Sequence, residues 1–311
     1  MDRRGFLLLG SAAALAGCGA GVPLDLAEVA ERWPPEGSFV HAMGLRIHAW
    51  ERGRGQPVIL LHGASGNLRD WTYALAPLIA RHRRAIAFDR PGNGYSERPA
   101  EGGGDPIVQA RILREAARRM GARRPILVGH SWGAAAAMAW ALAFPHEVAG
   151  VVTVAGAVMP WGDQPMLAEY IGLDRLLIGF YFDYLQSSRG GVAGFVRRIF
   201  RPQTPPPGYI DYVGGQLALR PQTVAANMED IVALNTALRR LAPSYPRLDL
   251  PVEIISGTED FIIEPGRQPI PFAASLRRPG LTLLDGVGHM AHHAAPGQVL
   301  AALDRLDPRA G

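Results

Sequence analysis

A serine becomes a nucleophile only where its hydroxyl is thrust clear of the backbone and a base stands beside it. Residues Ile126-Leu127-Val128-Gly129-His130-Ser131-Trp132-Gly133-Ala134 meet the first condition. An apolar β-branched run ends in a glycine-flanked serine, and an alanine-rich helical pattern begins at once. Strand, tight turn and helix in that order put Ser131 at the tip of the turn. Gly129 and Gly133 leave space where a side chain would crowd the neighbouring strand and helix. The Trp132 N–H opens the helix, so it lacks an intrahelical partner and is available to a developing oxyanion. A Gly-x-Ser-x-Gly string can arise by chance in a chain with 37 glycines. The strand in front and the helix behind argue against chance here.

The second condition is a base oriented by an acid. In an open α/β sheet, reactive side chains collect at the carboxyl ends of strands. The acid and the histidine are therefore expected after late strands, in the order serine, acid, histidine. The strand-like run Val252–Ser256 leads into Gly257-Thr258-Glu259-Asp260, and Leu281–Leu284 leads into Asp285-Gly286-Val287-Gly288-His289. Asp260 is assigned as the orienting acid and His289 as the general base. Glu259 reads as a surface group, and no acid follows the Gly150–Val154 run. His292 and His293 lie within a turn of His289, and three such histidines raise the question of a metal. Zinc needs a further converging carboxylate, histidine or cysteine. None stands close in the sequence, so no metal is expected, and His292 and His293 read as helix-face residues.

These groups need a scaffold, and the chain is long enough to supply one. Its 311 residues are 48% hydrophobic and 19% charged, the profile of a globular protein with a sizeable core. The formal charge is +4, carried by scattered arginines without a clustered stripe, so no nucleic-acid partner is expected. Alternating residues around Met43-Gly44 predict a hairpin of Ser38–His41 and Leu45–Glu51. Strands are expected at Pro57–His62, Arg84–Asp89, Ile126–His130 and Gly150–Val154. Helices are expected at Asp70–His82, Pro106–Met120 and from Ser131 to Phe144. This alternation predicts a mostly parallel, doubly wound sheet. From 157 to 245 the rhythm breaks into helical patterns, Leu167–Gln186 and Pro221–Leu241, around Pro205-Pro206-Pro207. That stretch reads as an inserted helical lid between core segments 38–156 and 246–311. Its apolar and aromatic residues, Met159, Trp161 and Phe180 among them, are candidates for a substrate pocket.

The N-terminus carries a different message. Arg3-Arg4 precede an apolar stretch too short to span a bilayer, which reads as a signal peptide over 1–17. Leu15-Ala16-Gly17-Cys18 resembles a bacterial lipobox, which implies cleavage before Cys18, the chain's one cysteine, and its acylation. Residues 18–37, rich in Gly, Pro and Glu around one short amphipathic piece, Leu24–Arg32, then read as a tether to the membrane. Arg3-Arg4-x-Phe6-Leu7 is similar to a twin-arginine export signal. The implied address is an exported lipoprotein facing the periplasm.

The body of the chain resembles the α/β-hydrolase fold family, within it the lidded serine hydrolases related to lactonases, esterases, carbon–carbon bond hydrolases and cofactor-free haloperoxidases. The resemblance rests on Leu61-His62-Gly63-Ala64, Asp89-Arg90-Pro91-Gly92-Asn93-Gly94-Tyr95-Ser96, Gly129–Gly133, Gly257–Asp260 and Gly288-His289. It implies that the Ala64 N–H joins that of Trp132 as the oxyanion hole, and that Asp89–Ser96 is a structural turn. Dehalogenases and many epoxide hydrolases of the family use aspartate at the nucleophile position, where this chain has Ser131. No cofactor motif is present. The expected activity is cleavage of an ester, lactone or related acyl bond in a small apolar substrate. Carbon–carbon bond hydrolysis and peracid formation on the same triad are the alternatives. A non-catalytic binding lipoprotein is the reading from outside enzymology.

Overall fold

The computed structural model describes residues 25–162 and 191–307. Cys18, Phe180 and the Leu167–Gln186 pattern lie outside the described residues. Eight strands form one sheet in the order β1-β2-β4-β3-β5-β6-β7-β8. They are β1 (Ser38–Ala42), β2 (Leu45–Arg52), β3 (Pro57–Leu61), β4 (Arg84–Phe88), β5 (Ile126–His130), β6 (Gly150–Val154), β7 (Val252–Gly257) and β8 (Pro279–Leu284). β2 runs antiparallel to β1 and β4, and the other pairings are parallel. The β1–β2 loop is Met43-Gly44, both at positive φ, the geometry that matches strand twist in a two-residue hairpin.

β3 and β5 lie centrally, and their side chains alternate between two apolar layers. Ile59, Leu61 and Leu127 pack with helices α4 (Pro106–Arg119) and α5 (Trp132–Ala143). Val58, Leu60 and Val128 pack on the opposite face with Trp71, Leu75, Val299 and Leu303. Burial on both faces explains why these strands read as continuous apolar runs. The expected Asp70–His82 helix is two short pieces, α2 (Arg69–Thr72) and α3 (Leu75–Ile79). Ala74 between them has φ −144°, which breaks the helical path.

The inserted region contributes α6 (Gly191–Ile199), α7 (Tyr209–Val213) and the long α8 (Pro221–Leu241). The last coincides with its expected range. Leu234, Leu238 and Leu241 of α8 join the layer around α4 and α5. α9 (Pro269–Ser275), α10 (Ala291–Ala294) and α11 (Pro296–Leu306) complete the chain. Among the described residues no helix is long and apolar enough to cross a membrane.

The reading of 18–37 as a free tether needs correction from Asp25 onward. Asp25 caps α1 (Leu26–Arg32) by accepting from the Ala27 and Glu28 N–H groups at 2.8 and 3.1 Å. Val29 and Trp33 are buried with Leu217, and Trp33 Nε1 donates to the Asp211 carbonyl at 2.6 Å. The helix falls on the amphipathic piece expected at Leu24–Arg32, and one tryptophan just beyond it suffices to dock it on the inserted region.

Candidate active site

β5 delivers Ser131 to its turn with φ 50° and ψ −120°, a conformation that costs a non-glycine residue about 1–3 kcal/mol. The surrounding backbone holds it there. Ser131 N–H donates to the Val154 carbonyl at 3.0 Å, and its own carbonyl accepts from Ala134 and Ala157 at 3.0 and 3.1 Å. A Cβ on Gly133 would stand 2.2 Å from the Leu61 carbonyl oxygen, and one on Gly129 would stand 2.5 Å from the Gly133 oxygen. Both positions therefore require glycine, and the helix can start hard against β3.

The structure brings Asp260 and His289 together. His289 Nδ1 lies 2.9 Å from Asp260 Oδ2, with Asp260 3% and His289 5% exposed. The other Asp260 oxygen accepts from Ile262 and Ile263 N–H at 2.9 and 2.8 Å. With its lone pairs occupied, the carboxylate holds its position and fixes Nδ1 as the protonated nitrogen. Nε2 is thereby the basic one.

The Ala64 loop is fastened by Arg90 and His62, residues of two motifs to which the sequence assigned no such contact. Arg90, fully buried, donates from Nε to the His62 carbonyl at 2.9 Å and from Nη2 to the Gly63 carbonyl at 3.2 Å. Its Nη1 donates to Gln109 Oε1 at 2.9 Å and Asp230 Oδ2 at 2.7 Å. The guanidinium lies 4.0 Å from the Trp132 ring centroid, and Trp132 Nε1 donates to the Asp230 carbonyl at 2.9 Å. Burial lowers the Arg90 pKa, and the Asp230 charge opposes that shift. His62 completes the clamp. Its Nδ1–H donates to the Gly63 carbonyl at 2.8 Å, and its Nε2 accepts from Arg90 N–H at 3.0 Å. Both bonds need the neutral ring. Burial, then the Arg90 charge, lowers its pKa to about 4.

Asn227, one turn before Asp230 on α8, adds a second tie. Its Oδ1 accepts from Ser65 N–H at 2.8 Å, and its Nδ2 donates to Ser65 Oγ. The two backbone donors proposed for an oxyanion, Ala64 and Trp132, are thus positioned by one face of an inserted helix. Nothing local in 221–241 marks Asn227 and Asp230 as partners of residues about 100 to 160 positions away. Met159 and Trp161, read as pocket residues, are half-buried against the core. Their N–H groups are held by Gln268 Oε1 at 2.8 Å and Asn235 Oδ1 at 3.0 Å.

His292 and His293 are not a helix surface. They turn inward onto Asp70, the carboxylate that proximity in sequence could not supply. Asp70 Oδ1 accepts from Tyr209 Oη and His293 Nε2, each at 2.7 Å, and Oδ2 lies 3.1 Å from His292 Nε2. Burial alone would raise the Asp70 pKa, but His292 and His293 outweigh it and hold the carboxyl well below the usual carboxylate range. His130, next to the nucleophile, joins this cluster with Nδ1 3.9 Å from Asp70 Oδ2.

Residues 56–180 match the sequence pattern of the alpha/beta hydrolase fold. The chain is 32% identical over 162 residues to 2-hydroxymuconate semialdehyde hydrolase of Pseudomonas sp. (strain CF600). That match covers 48% of this chain and 56% of the enzyme's length. It is 26% identical over 291 residues to haloalkane dehalogenase 2 of Mycobacterium tuberculosis (strain ATCC 25618 / H37Rv), covering 90% of this chain and 98% of the other. Among solved structures, Est816, described as an N-acyl homoserine lactone degrading enzyme, superposes with a TM-score of 0.67 at 21% identity. It covers 86% of this chain and 99% of its own, a likeness of fold.

Proposed function

We infer that this chain, which belongs to the α/β-hydrolase fold family, is a serine hydrolase that cleaves a carboxylic ester or lactone through an acyl-enzyme. The observation that carries this reading is the buried His289–Asp260 pair at 2.9 Å, in a fold whose strained turn presents Ser131. His289 Nε2 takes the Ser131 proton as Oγ attacks the carbonyl carbon, and Asp260 stabilises the imidazolium. The Ala64 and Trp132 N–H groups receive the oxyanion, each contributing on the order of 3 kcal/mol. The proton passes to the leaving oxygen, and water, activated by the same histidine, releases the acid.

The serine also bears on the dehalogenase likeness. Displacing halide with a carboxylate leaves an alkyl ester that water can hydrolyse at the enzyme's own carbonyl. Displacing it with a serine leaves an ether, which this machinery cannot open. Hydrolysis at an acyl carbon is therefore the reading that Ser131 favours.

Ser131→Ala is expected to lower turnover of p-nitrophenyl acetate by roughly four to six orders of magnitude with the fold intact. Retained turnover, or failure of the folded wild type to react with a fluorophosphonate at Ser131, overturns the reading and favours a binding lipoprotein. The likeness to 2-hydroxymuconate semialdehyde hydrolase supports a second reading, carbon–carbon bond hydrolysis on the same triad. A kcat/KM on that substrate far above those on aryl esters and lactones would replace the first reading with the second. Peracid formation is separated by assaying acetate with and without peroxide.

Export and acylation at Cys18 complete the proposal, supported by the Leu15-Ala16-Gly17-Cys18 string behind Arg3-Arg4. Two or more acyl chains anchor stably at roughly 0.8 kcal/mol per buried methylene. Cys18→Ser should move the enzyme from the membrane fraction to the soluble one; an unchanged distribution refutes the anchor.

A further inference from the structure

We propose that Asp70, His130 and His292 form a buried cation site of the zinc class, joined to the nucleophile turn through His130. The three stretches that meet there are α2, the end of β5 and α10. Asp70 Oδ2, His130 Nδ1 and His292 Nε2 lie within 4.8 Å of one another, and all three residues are buried. Zinc holds nitrogen and oxygen donors at about 2.0–2.2 Å, which sets tetrahedral donors about 3.3 Å apart. The distances from Asp70 Oδ2, 3.1 Å to His292 and 3.9 Å to His130, bracket that spacing.

Hydrogen bonding supplies the independent observation. His130 Nε2 lies 3.2 Å from the His289 carbonyl, an acceptor, so Nε2 carries the proton. Nδ1 then presents a lone pair. It is buried, has no hydrogen-bond partner among the described residues, and faces a carboxylate oxygen too distant for a hydrogen bond. Two acceptors facing each other away from bulk solvent repel unless a donor or a cation stands between them, and an ion held by both is the stronger remedy. An imidazole whose second nitrogen donates to a backbone carbonyl is also the arrangement that orients metal-bound histidine. Two imidazole nitrogens and one carboxylate suit zinc better than magnesium or calcium, which favour oxygen. His293 Nε2 bonds the other Asp70 oxygen at 2.7 Å and holds the carboxylate from behind, so the fourth position of a tetrahedral ion falls to water.

The ion's role here is to brace. His130 immediately precedes Ser131 and holds the His289 carbonyl, so a fixed His130 ring steadies two members of the triad from outside the reaction. The ion touches no substrate in this arrangement.

The test uses untagged full-length protein, chelated and then titrated with zinc or cobalt. Expected are one equivalent of metal per chain by mass spectrometry, a melting temperature higher by several degrees with metal at 100-fold its Kd, and visible cobalt bands of a four-coordinate nitrogen–oxygen site. His130→Gln and Asp70→Asn should each lose the equivalent and the thermal shift. Because Asp70→Asn risks misfolding, His130→Gln, scored only if its far-UV spectrum is native, decides the assignment. Less than a tenth of an equivalent in wild type, or undiminished binding in folded His130→Gln, overturns it. The triad assignment does not depend on this outcome, since Ser131 labelling by a fluorophosphonate reports on it separately.

Discussion

Two buried polar clusters border the catalytic residues, one around Arg90 and Asp230, the other around Asp70 and His130, and they are built on opposite terms. In the first, Arg90 spends its donors on two carbonyls, Gln109 and Asp230. Asp230 receives Arg90, Arg98 and Gln109 in return, at 2.7, 2.8 and 2.9 Å. His62 uses both ring nitrogens. In the second, Asp70 is equally well supplied, yet Nδ1 of His130, Nδ1 of His292 and Nε1 of Trp71 are buried without partners among the described residues. A network whose acceptors are taken, with only the Arg98 Nε donor lacking a partner among the described residues, fixes geometry and offers no lone pair to a cation. One with a lone pair left over at His130 Nδ1, facing the Asp70 carboxylate, has electrostatic room for a cation. The difference teaches that burial and charge alone do not mark a binding site; the unspent donors and acceptors do.

The largest effect that would break this contrast lies in the closed cluster. Asp230→Ala leaves a buried guanidinium unpaired and should cost about 3–5 kcal/mol in urea unfolding. Replacing both partners, Arg90→Met with Asp230→Leu, should restore most of it. A loss under 1 kcal/mol for the single variant would show that the network is not closed as described.

Next comes pH. His62 has a pKa of about 4 in the folded protein against 6.5 for the free side chain. Between those values the unfolded chain binds more protons, so stability falls as pH drops from about 6.5 to 4, by on the order of 3 kcal/mol. Burial also lowers the pKa of His292, to about 4, and that of His130, so His62→Gln should remove only its own share of this slope; an unaltered slope would assign it to those two histidines.

The smallest effect concerns the tie between α8 and the Ala64 loop. Asn227→Ala frees Ser65 N–H and Oγ, and loosens the adjacent Ala64 donor. A loss of about 1–2 kcal/mol in transition-state stabilisation is expected, roughly tenfold or a little more in kcat, with KM within about twofold. Unchanged kcat would separate the loop from the oxyanion hole.

The placement of the proposed triad was legible because each member follows its own strand: Ser131 after β5, Asp260 after β7, His289 after β8. Local pattern suffices for that, since a parallel sheet aligns its strand ends. The β1–β2 hairpin and α8 were legible for the same local reasons, a two-residue turn and a long run of helix formers. The docking of α1 was not, because it depends on Trp33 meeting Leu217 and Asp211. Nor was the Asp70 cluster. His292 and Asp70 are 222 positions apart, and neither position carries a pattern that names the other.

The sequence by itself determined the fold class and set Ser131, Asp260 and His289 behind successive strands in that order, because periodicity and turn chemistry are properties of neighbouring residues. Only the tertiary structure decided that α8 of the inserted region clamps the Ala64 loop, and that three histidines converge on Asp70. Those facts depend on which polar side chains the packing removes from water together, and desolvation obliges such groups to find partners across the whole length of the chain.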